Sequence, residues 1–572
     1  MRMVRFAGMT VVLLLVPCAG RTQTLAPDMA KQVDKVFAKW DRADSPGCAL
    51  GVYRHGQVVY KRGYGMEDLN EEVHITPGTV FHVASMSKQF TAAAIVLLAQ
   101  QGKLSLDDDV RKYIPELPDF GQKITIRNLV HHTSGLRDQW ALLGLAGWRY
   151  SRDLITDEDV MSVMTRQKEL NFKPGERHVY CNTGYTLMGL IVKRVSGMPL
   201  REFTTKNIFE PLGMTHTHFR DDHAEILKHD AVGYEQQPGK PFEISITNFD
   251  TVGATSLHTT VEDLQRWDEN FYHPKVGGDA FVQQMIERGK LNNGEQLDYA
   301  FGLVVGKYKG LPTVDHGGAD AGYRSDMTRF PDQHFSVAVL CNSAETDPGA
   351  LVRQVADIVL TKEIKAAEAA TQAKEPVAKS TVAASVVLTA EQMAAFTGLY
   401  WNREDDAFVQ IFVKDGKLKG DTGGEEPLVL KPFAESRFHI AGKPWGDEVE
   451  IHFVAPSGDN PRRMEQSFGG GKPSVFEAAE SFSPSGAELA EYSGAYVSEE
   501  IDPVYRIALD GEKLSLMRLK HKPDTLRPTV RDVFTGQIGT VRFTRDPASG
   551  HVSGFVLNAG RIQNFHFVKR AS

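Results

Sequence analysis

From Phe90 to Leu98 the chain carries apolar residues at helical spacing. Phe90, Ala93, Ala94, Leu97 and Leu98 mark one face, and the opposite face is nearly as apolar. A helix apolar all round belongs inside a large core. The pattern predicts such a helix opening near Ser85 and stopping near Gly102. Before it, an amphipathic helix runs through Trp40, and residues 48–53 and 58–64 read as a hairpin around Arg54-His55-Gly56-Gln57. After it come a loop-rich stretch, then a helix with Tyr185, Met188, Leu190, Ile191 and Val195 on its buried side. Gly197 and Pro199 end that helix. Another helix is expected over 261–267.

From Gly302 the period changes from helical to alternating. Residues 303–305, 313–316, 323–330 and 335–340 read as strands separated by Gly, Pro and Asp turns, and a last helix passes through Leu351, Val355, Ile358 and Val359. Two strands, then helices, then three or four strands and a closing helix predict an α+β domain: an antiparallel sheet flanked by helices. Residues 363–387 are rich in Ala, Lys, Glu, Thr and Val and read as a linker with some helical character. Beyond it the sequence repeats itself. Phe396-Thr397-Gly398-Leu399-Tyr400 resembles Tyr492-Ser493-Gly494-Ala495-Tyr496, and Asp415-Gly416-Lys417-Leu418 recurs as Asp510-Gly511-Glu512-Lys513-Leu514. Alternating strands follow in both copies, predicting two consecutive small antiparallel β-barrels over 388–482 and 483–572.

The 572 residues exceed what one core holds, and a net charge of -8 gives no electrostatic reason to propose a nucleic-acid partner. No long apolar run appears after residue 20, so no membrane span is expected in the mature chain. Arg2 and Arg5, an apolar run over 6–16, then Cys18, Ala19 and Gly20 have the layout of a signal peptide over 1–20, so the expected location is periplasmic or secreted. Cys48, Cys181 and Cys341 are too few for a disulfide framework, and buried free thiols are the expectation, with a Cys48–Cys341 bond the alternative.

Candidate chemistry starts at Ser85-Met86-Ser87-Lys88. A serine needs an adjacent base to become a nucleophile, and a desolvated lysine one turn along the same helix face supplies one. Tyr180-Cys181-Asn182 follows a Pro-Gly turn and adds a phenol and an amide. His316-Gly317-Gly318 ends a strand. With His132-Thr133-Ser134-Gly135-Leu136, Pro174-Gly175-Glu176 and Pro211-Leu212-Gly213-Met214, these stretches make residues from about 30 to 362 resemble the penicillin-recognising serine hydrolases. That group includes class C β-lactamases, D-alanyl-D-alanine carboxypeptidases, D-aminopeptidases and related esterases. The catalytic domain is accordingly placed at 26–362.

The resemblance implies acyl-enzyme chemistry. Ser85 attacks a carbonyl, and Lys88 and Tyr180 form a coupled pair that moves the serine proton, with the kinetic base left open between them. Asn182 holds Lys88 and the substrate amide. The backbone N–H groups of Ser85 and Ala319 form the oxyanion hole. Gly317 and Gly318 let the substrate lie against the strand. The third signature departs from the Lys-Thr-Gly of class C β-lactamases. A histidine titrating near neutrality at 316 gives weaker, pH-dependent attraction for a substrate carboxylate. This points toward D-aminopeptidase-like and esterase-like members, some of which resemble this chain in carrying two trailing barrels. There a barrel loop can reach the active site, and residues 520–531 are the expected loop here. The expected activity is hydrolysis of D-amino-acid amides or peptides, with cell-wall peptides among the partners considered. A carboxylesterase or weak β-lactamase, and a non-hydrolysing penicillin-binding sensor or scaffold, are the alternatives. No cofactor is implied. The group His216, His218, His223 and His229 with Asp221 and Asp222 follows no ligand spacing, so no metal is assigned.

Overall fold

A computed structural model describes residues 24–372, 386–423, 426–441, 449–458, 460–468 and 473–571. The proposed leader, over 1–20, lies outside the described residues, as does most of the proposed linker. The linker's first residues continue the helix Thr361–Gln372.

The first domain is built on a six-stranded antiparallel sheet. Its order is Val304–Tyr308, Leu311–Asp320, Tyr323–Phe330, Phe335–Cys341, Cys48–Arg54, Gln57–Tyr64. The hairpin that opens the domain therefore pairs with the last strand of the group that closes it. The strand Cys48–Arg54 is buried on both faces, which explains its unbroken apolar run. Cys48, Leu50 and Val52 face a layer formed by the helices Pro27–Phe37 and Pro348–Val359, through Val33, Phe37, Leu351 and Val355. Ala49 and Tyr53 face the larger helical layer on the other side. At the centre of that layer is the helix Lys88–Gln100, of which all but the last two residues are buried.

Register places Cys48 directly opposite Cys341, and the two form a disulfide across 293 residues of sequence. The expectation of free thiols is corrected here. The pairing arises from the terminal strands meeting in mid-sheet, which no local pattern announces. Cys181 is free and buried.

Residues 398–479 and 494–569 form two closed eight-stranded antiparallel barrels. The repeat is kept in its details. Each barrel is preceded by a short helix with a capping box, Thr389 with Gln392 and Ser485 with Glu488. In each, a tyrosine hydroxyl bonds the carbonyl four residues back, Tyr400 to Phe396 and Tyr496 to Tyr492. The second barrel packs on the first domain, with the Tyr505 hydroxyl donating to the Leu145 carbonyl at 2.9 Å. The first barrel meets the second through Leu399, Phe408 and Val533.

Candidate active site

Ser85 does not open the long helix itself. It sits in the 3-10 turn Ala84–Ser87, and Lys88 is the first residue of the α-helix. The turn starts at Ala84, held in the left-handed region at φ +50°. The strand Leu311–Asp320 packs against this turn. A Cβ at Gly318 would lie 2.3 Å from the Val83 carbonyl oxygen and 2.5 Å from Ser325 Oγ. Gly318 is thus required by the close approach of the strand to the serine turn, a packing constraint that the sequence reading of this glycine as substrate room did not include.

Lys88 is fully buried beneath Ser85. Its Nζ lies 3.1 Å from Ser85 Oγ, 2.9 Å from Asn182 Oδ1 and 2.6 Å from the Ala254 carbonyl oxygen. The rings of Tyr180 and Tyr185 flank it at 4.9 and 5.6 Å. Burial pulls its pKa down from 10.5 to about 7, against the opposing pull of Asp138 and Asp320. A neutral lysine amine has two N–H groups and one lone pair. Asn182 Oδ1 and the Ala254 carbonyl are pure acceptors and take the two N–H groups. The lone pair is left for the Ser85 hydroxyl. Burial drives the Tyr180 phenol the other way, far above its usual range, despite the counteracting influence of Ser85 and Arg561.

The amide of Asn182 is oriented by a residue that the sequence reading missed. Asp138 Oδ2 accepts both the side-chain N–H of Asn182, at 2.9 Å, and its backbone N–H, at 2.8 Å. The other carboxylate oxygen caps the helix Gln139–Leu145. Ala254 was missed too. It follows Gly253, whose φ of +101° and close approach to the Tyr185 carbonyl admit no side chain.

His316 is buried, and burial together with the nearby Lys88 lowers its pKa to about 4. Its Nδ1 donates to the Gly317 carbonyl at 2.5 Å, which leaves Nε2 to accept from the Tyr299 hydroxyl at 3.0 Å. The imidazole is neutral at physiological pH with both nitrogens occupied. The expected pH-dependent attraction for a carboxylate is corrected accordingly.

A pocket of about 620 Å³ opens over Ser85 and is lined by Tyr180, Asn182, His316, Gly317, Gly318 and Ala319 among others. The three sequence signatures therefore meet at one place. The strand Leu311–Asp320 pairs with Val304–Tyr308 only as far as Asp315. Its far stretch, residues 316–320, has Tyr323–Phe330 on one side and no strand partner on the other among the described residues. Asp320 closes one wall, held below the usual carboxylate range because bonds from His82, Thr255 and Tyr150 outweigh its burial.

One wall comes from the far end of the chain. Arg561, in the turn between the strands Val552–Ala559 and Ile562–Lys569 of the second barrel, lines the pocket. Its guanidinium lies 4.8 Å from the centre of the Tyr180 ring and 3.6 Å from Asp138 Oδ2. A barrel loop does reach the site, but it is not 520–531. No residue of that stretch lines the pocket; Lys520 instead reaches Asp153, 3.5 Å away. Among the histidines considered for a metal, His218 pairs with Glu225. His223 joins Asp250 and Asp222 in a cluster whose ligand atoms lie within 4.8 Å of one another, and none of the three lines the pocket.

The family model described as Beta-lactamase matches residues 33–362, more than half of the chain. This protein belongs to the Beta-lactamase family. Within that family of serine hydrolases it is 28% identical to Penicillin-binding protein 4* of Bacillus subtilis (strain 168), over 70% of this chain and 88% of that protein. It is 31% identical to protein flp of Staphylococcus aureus (strain N315), a match that covers 56% of this chain and 64% of flp. Among solved structures, the octameric penicillin-binding protein homologue from Pyrococcus abyssi covers 79% of this chain and 99% of its own, at a TM-score of 0.54 and 23% identity, which shows the shared fold.

Proposed function

We propose that this Beta-lactamase family member is a serine hydrolase that works through an acyl-enzyme on Ser85. The observation that carries the reading is the surround of Lys88 Nζ, where two pure acceptors leave a neutral amine one lone pair facing Ser85 Oγ. Lys88 takes the hydroxyl proton as Oγ bonds to the substrate carbonyl carbon. The oxyanion is held by the backbone N–H groups of Ser85 and Ala319, each such donor contributing about 3 kcal/mol in related chemistry. On collapse, the bond from the carbonyl carbon to the leaving nitrogen or oxygen breaks, and the proton passes from Lys88 to the leaving group, with the Tyr180 phenol beside the path. Water, deprotonated by the same amine, then hydrolyses the ester. With its pKa far above neutrality, Tyr180 stays protonated and donates, so Lys88 is the kinetic base.

The substrate class we assign is an amide or peptide containing a D-amino acid, as the His316-Gly317-Gly318 signature and the two trailing barrels imply by resemblance. The edge of 316–320 that has no strand partner among the described residues suits an extended acyl donor that adds alongside it. We further propose that the protein is exported. Its charged and apolar N-terminus supports this, and so does the Cys48–Cys341 disulfide, a bond that persists in oxidising compartments. The test is a panel of D- and L-amino-acid p-nitroanilides, short p-nitrophenyl esters and a chromogenic β-lactam. Wild type is expected to turn over D-configured substrates in preference to L, and Ser85→Ala none. Equal rates for wild type and Ser85→Ala across the panel would refute the reading.

A further inference from the structure

The pocket over Ser85 has an electrostatic gap. The position where a cationic side chain is expected on the strand, His316, holds a buried neutral imidazole with both nitrogens engaged inside the protein. Two cations line the pocket, Arg324 and Arg561. They are not equivalent. Arg324 Nη1 is spent on its own hairpin, donating to the Ala321 and Tyr323 carbonyls at 2.9 and 2.7 Å. The side chain of Arg561 is 46% exposed, and its one ionic neighbour is Asp138 at 3.6 Å. Its other N–H donors have no protein acceptor among the described residues. It lies over the Tyr180 ring at cation–π distance, in the same pocket lining as Ser85.

Arg561 is also held firmly from behind. Its carbonyl accepts from Asn171 Nδ2 at 2.9 Å, and Asn171 Oδ1 accepts in return from the backbone N–H of Gln563 at 2.8 Å. Arg137 Nη2 donates to the carbonyls of Gln563 and Asn564 at 3.1 and 2.8 Å, while its Nη1 pairs with Glu500 of the same barrel at 2.5 Å. Backbone pinned at one residue and just after it, with that residue's side chain left half-exposed in the pocket that holds a nucleophile, is the arrangement of a pre-organised ligand contact. A guanidinium with free donors matches a carboxylate in shape and charge.

We propose that Arg561, delivered by the second barrel, is the residue that reads a carboxylate on the substrate, so that this enzyme prefers acyl donors bearing an anionic group beside the scissile bond. The proposal rests on the hydrolase reading for the identity of the reaction and on Arg561 for the preference. It assigns the second barrel a direct part in specificity.

The experiment compares two thioesters of one acyl group in the full-length protein. One has a thioglycolate leaving group with a free carboxylate, and the other has the corresponding carboxamide. Binding of N-acetyl-D-alanine and N-acetyl-D-alaninamide, measured by titration calorimetry, provides a readout that needs no turnover. Wild type is expected to favour the carboxylate member of each pair. Arg561→Ala lowers that preference at least about tenfold, the size expected for losing a charged hydrogen bond, and Arg561→Lys keeps part of it. A fall shared equally by both thioesters reflects Lys88 and leaves the ratio unchanged. An unchanged ratio in Arg561→Ala, no wild-type preference in either pair, or loss of preference in Arg324→Ala alone overturns the proposal. If neither thioester is cleaved but Arg561-dependent binding of the carboxylate persists, the hydrolase reading fails and the assignment of Arg561 stands.

Discussion

Asp138 fixes Asn182 by accepting its side-chain and backbone N–H groups on a single carboxylate oxygen, at 2.9 and 2.8 Å. That double bond pattern turns the amide so that its oxygen, not its nitrogen, faces Lys88. Asp138→Ala is expected to free the amide and misplace the lysine, lowering kcat about 100-fold, the usual cost of a small misplacement at a reacting centre. Because the substrate-lining surface is otherwise kept, KM should change much less. Steady-state kinetics on one ester substrate checks this, and a loss confined to KM would count against the positioning role.

The pH dependence follows from Lys88. Its protonated form has no lone pair for Ser85, so kcat/KM should rise with pH through about 7 and level off above. Arg561 lowers the lysine pKa by repulsion, so Arg561→Ala should move this limb to higher pH. His316→Gln should leave the limb in place, because the imidazole titrates only at about 4. The same burial couples to folding. Between about 7 and the ordinary 10.5, the unfolded chain binds a proton at Lys88 that the folded chain does not, so this group's contribution to stability improves as pH rises through that window. A limb near 7 that vanishes in His316→Gln would reassign the base.

The second barrel is joined to the catalytic domain by a buried charge pair. Arg137 and Glu500 have side chains 0% and 4% exposed, and Glu500 also accepts from the Lys168 backbone N–H. Glu500→Ala leaves the arginine buried without its counter-charge. The expected cost is about 3–5 kcal/mol in the denaturation midpoint analysis, whereas Arg137→Met with Glu500→Leu should cost much less. Equal losses in the single and double variants would show that packing, not charge, joins the two.

Legibility from sequence followed the range of the interactions. The buried helix, the alternating strands and the two barrels each announce themselves within a few residues through periodicity, and the repeat in 398–400 and 494–496 made the barrels visible. Ser85, Lys88, Tyr180 and Asn182 were legible as short motifs. Asp138, the Ala254 carbonyl and Arg561 were not. A carboxylate acting on a neighbouring amide, a backbone oxygen and an arginine at the tip of a distant hairpin carry no local spacing signal. Cys48 and Cys341 met because strand order placed the ends of the domain side by side. His316 was misread because its charge state depends on burial and on the Tyr299 hydroxyl, both set by the tertiary fold.

The most direct measurement is intact-protein mass spectrometry after acid quench of a reaction with a p-nitrophenyl ester, followed by peptide mapping. The account predicts one acyl group on the peptide that contains Ser85 in wild type and none in Ser85→Ala. An acyl group carried on another residue, or undiminished turnover in Ser85→Ala, would contradict it.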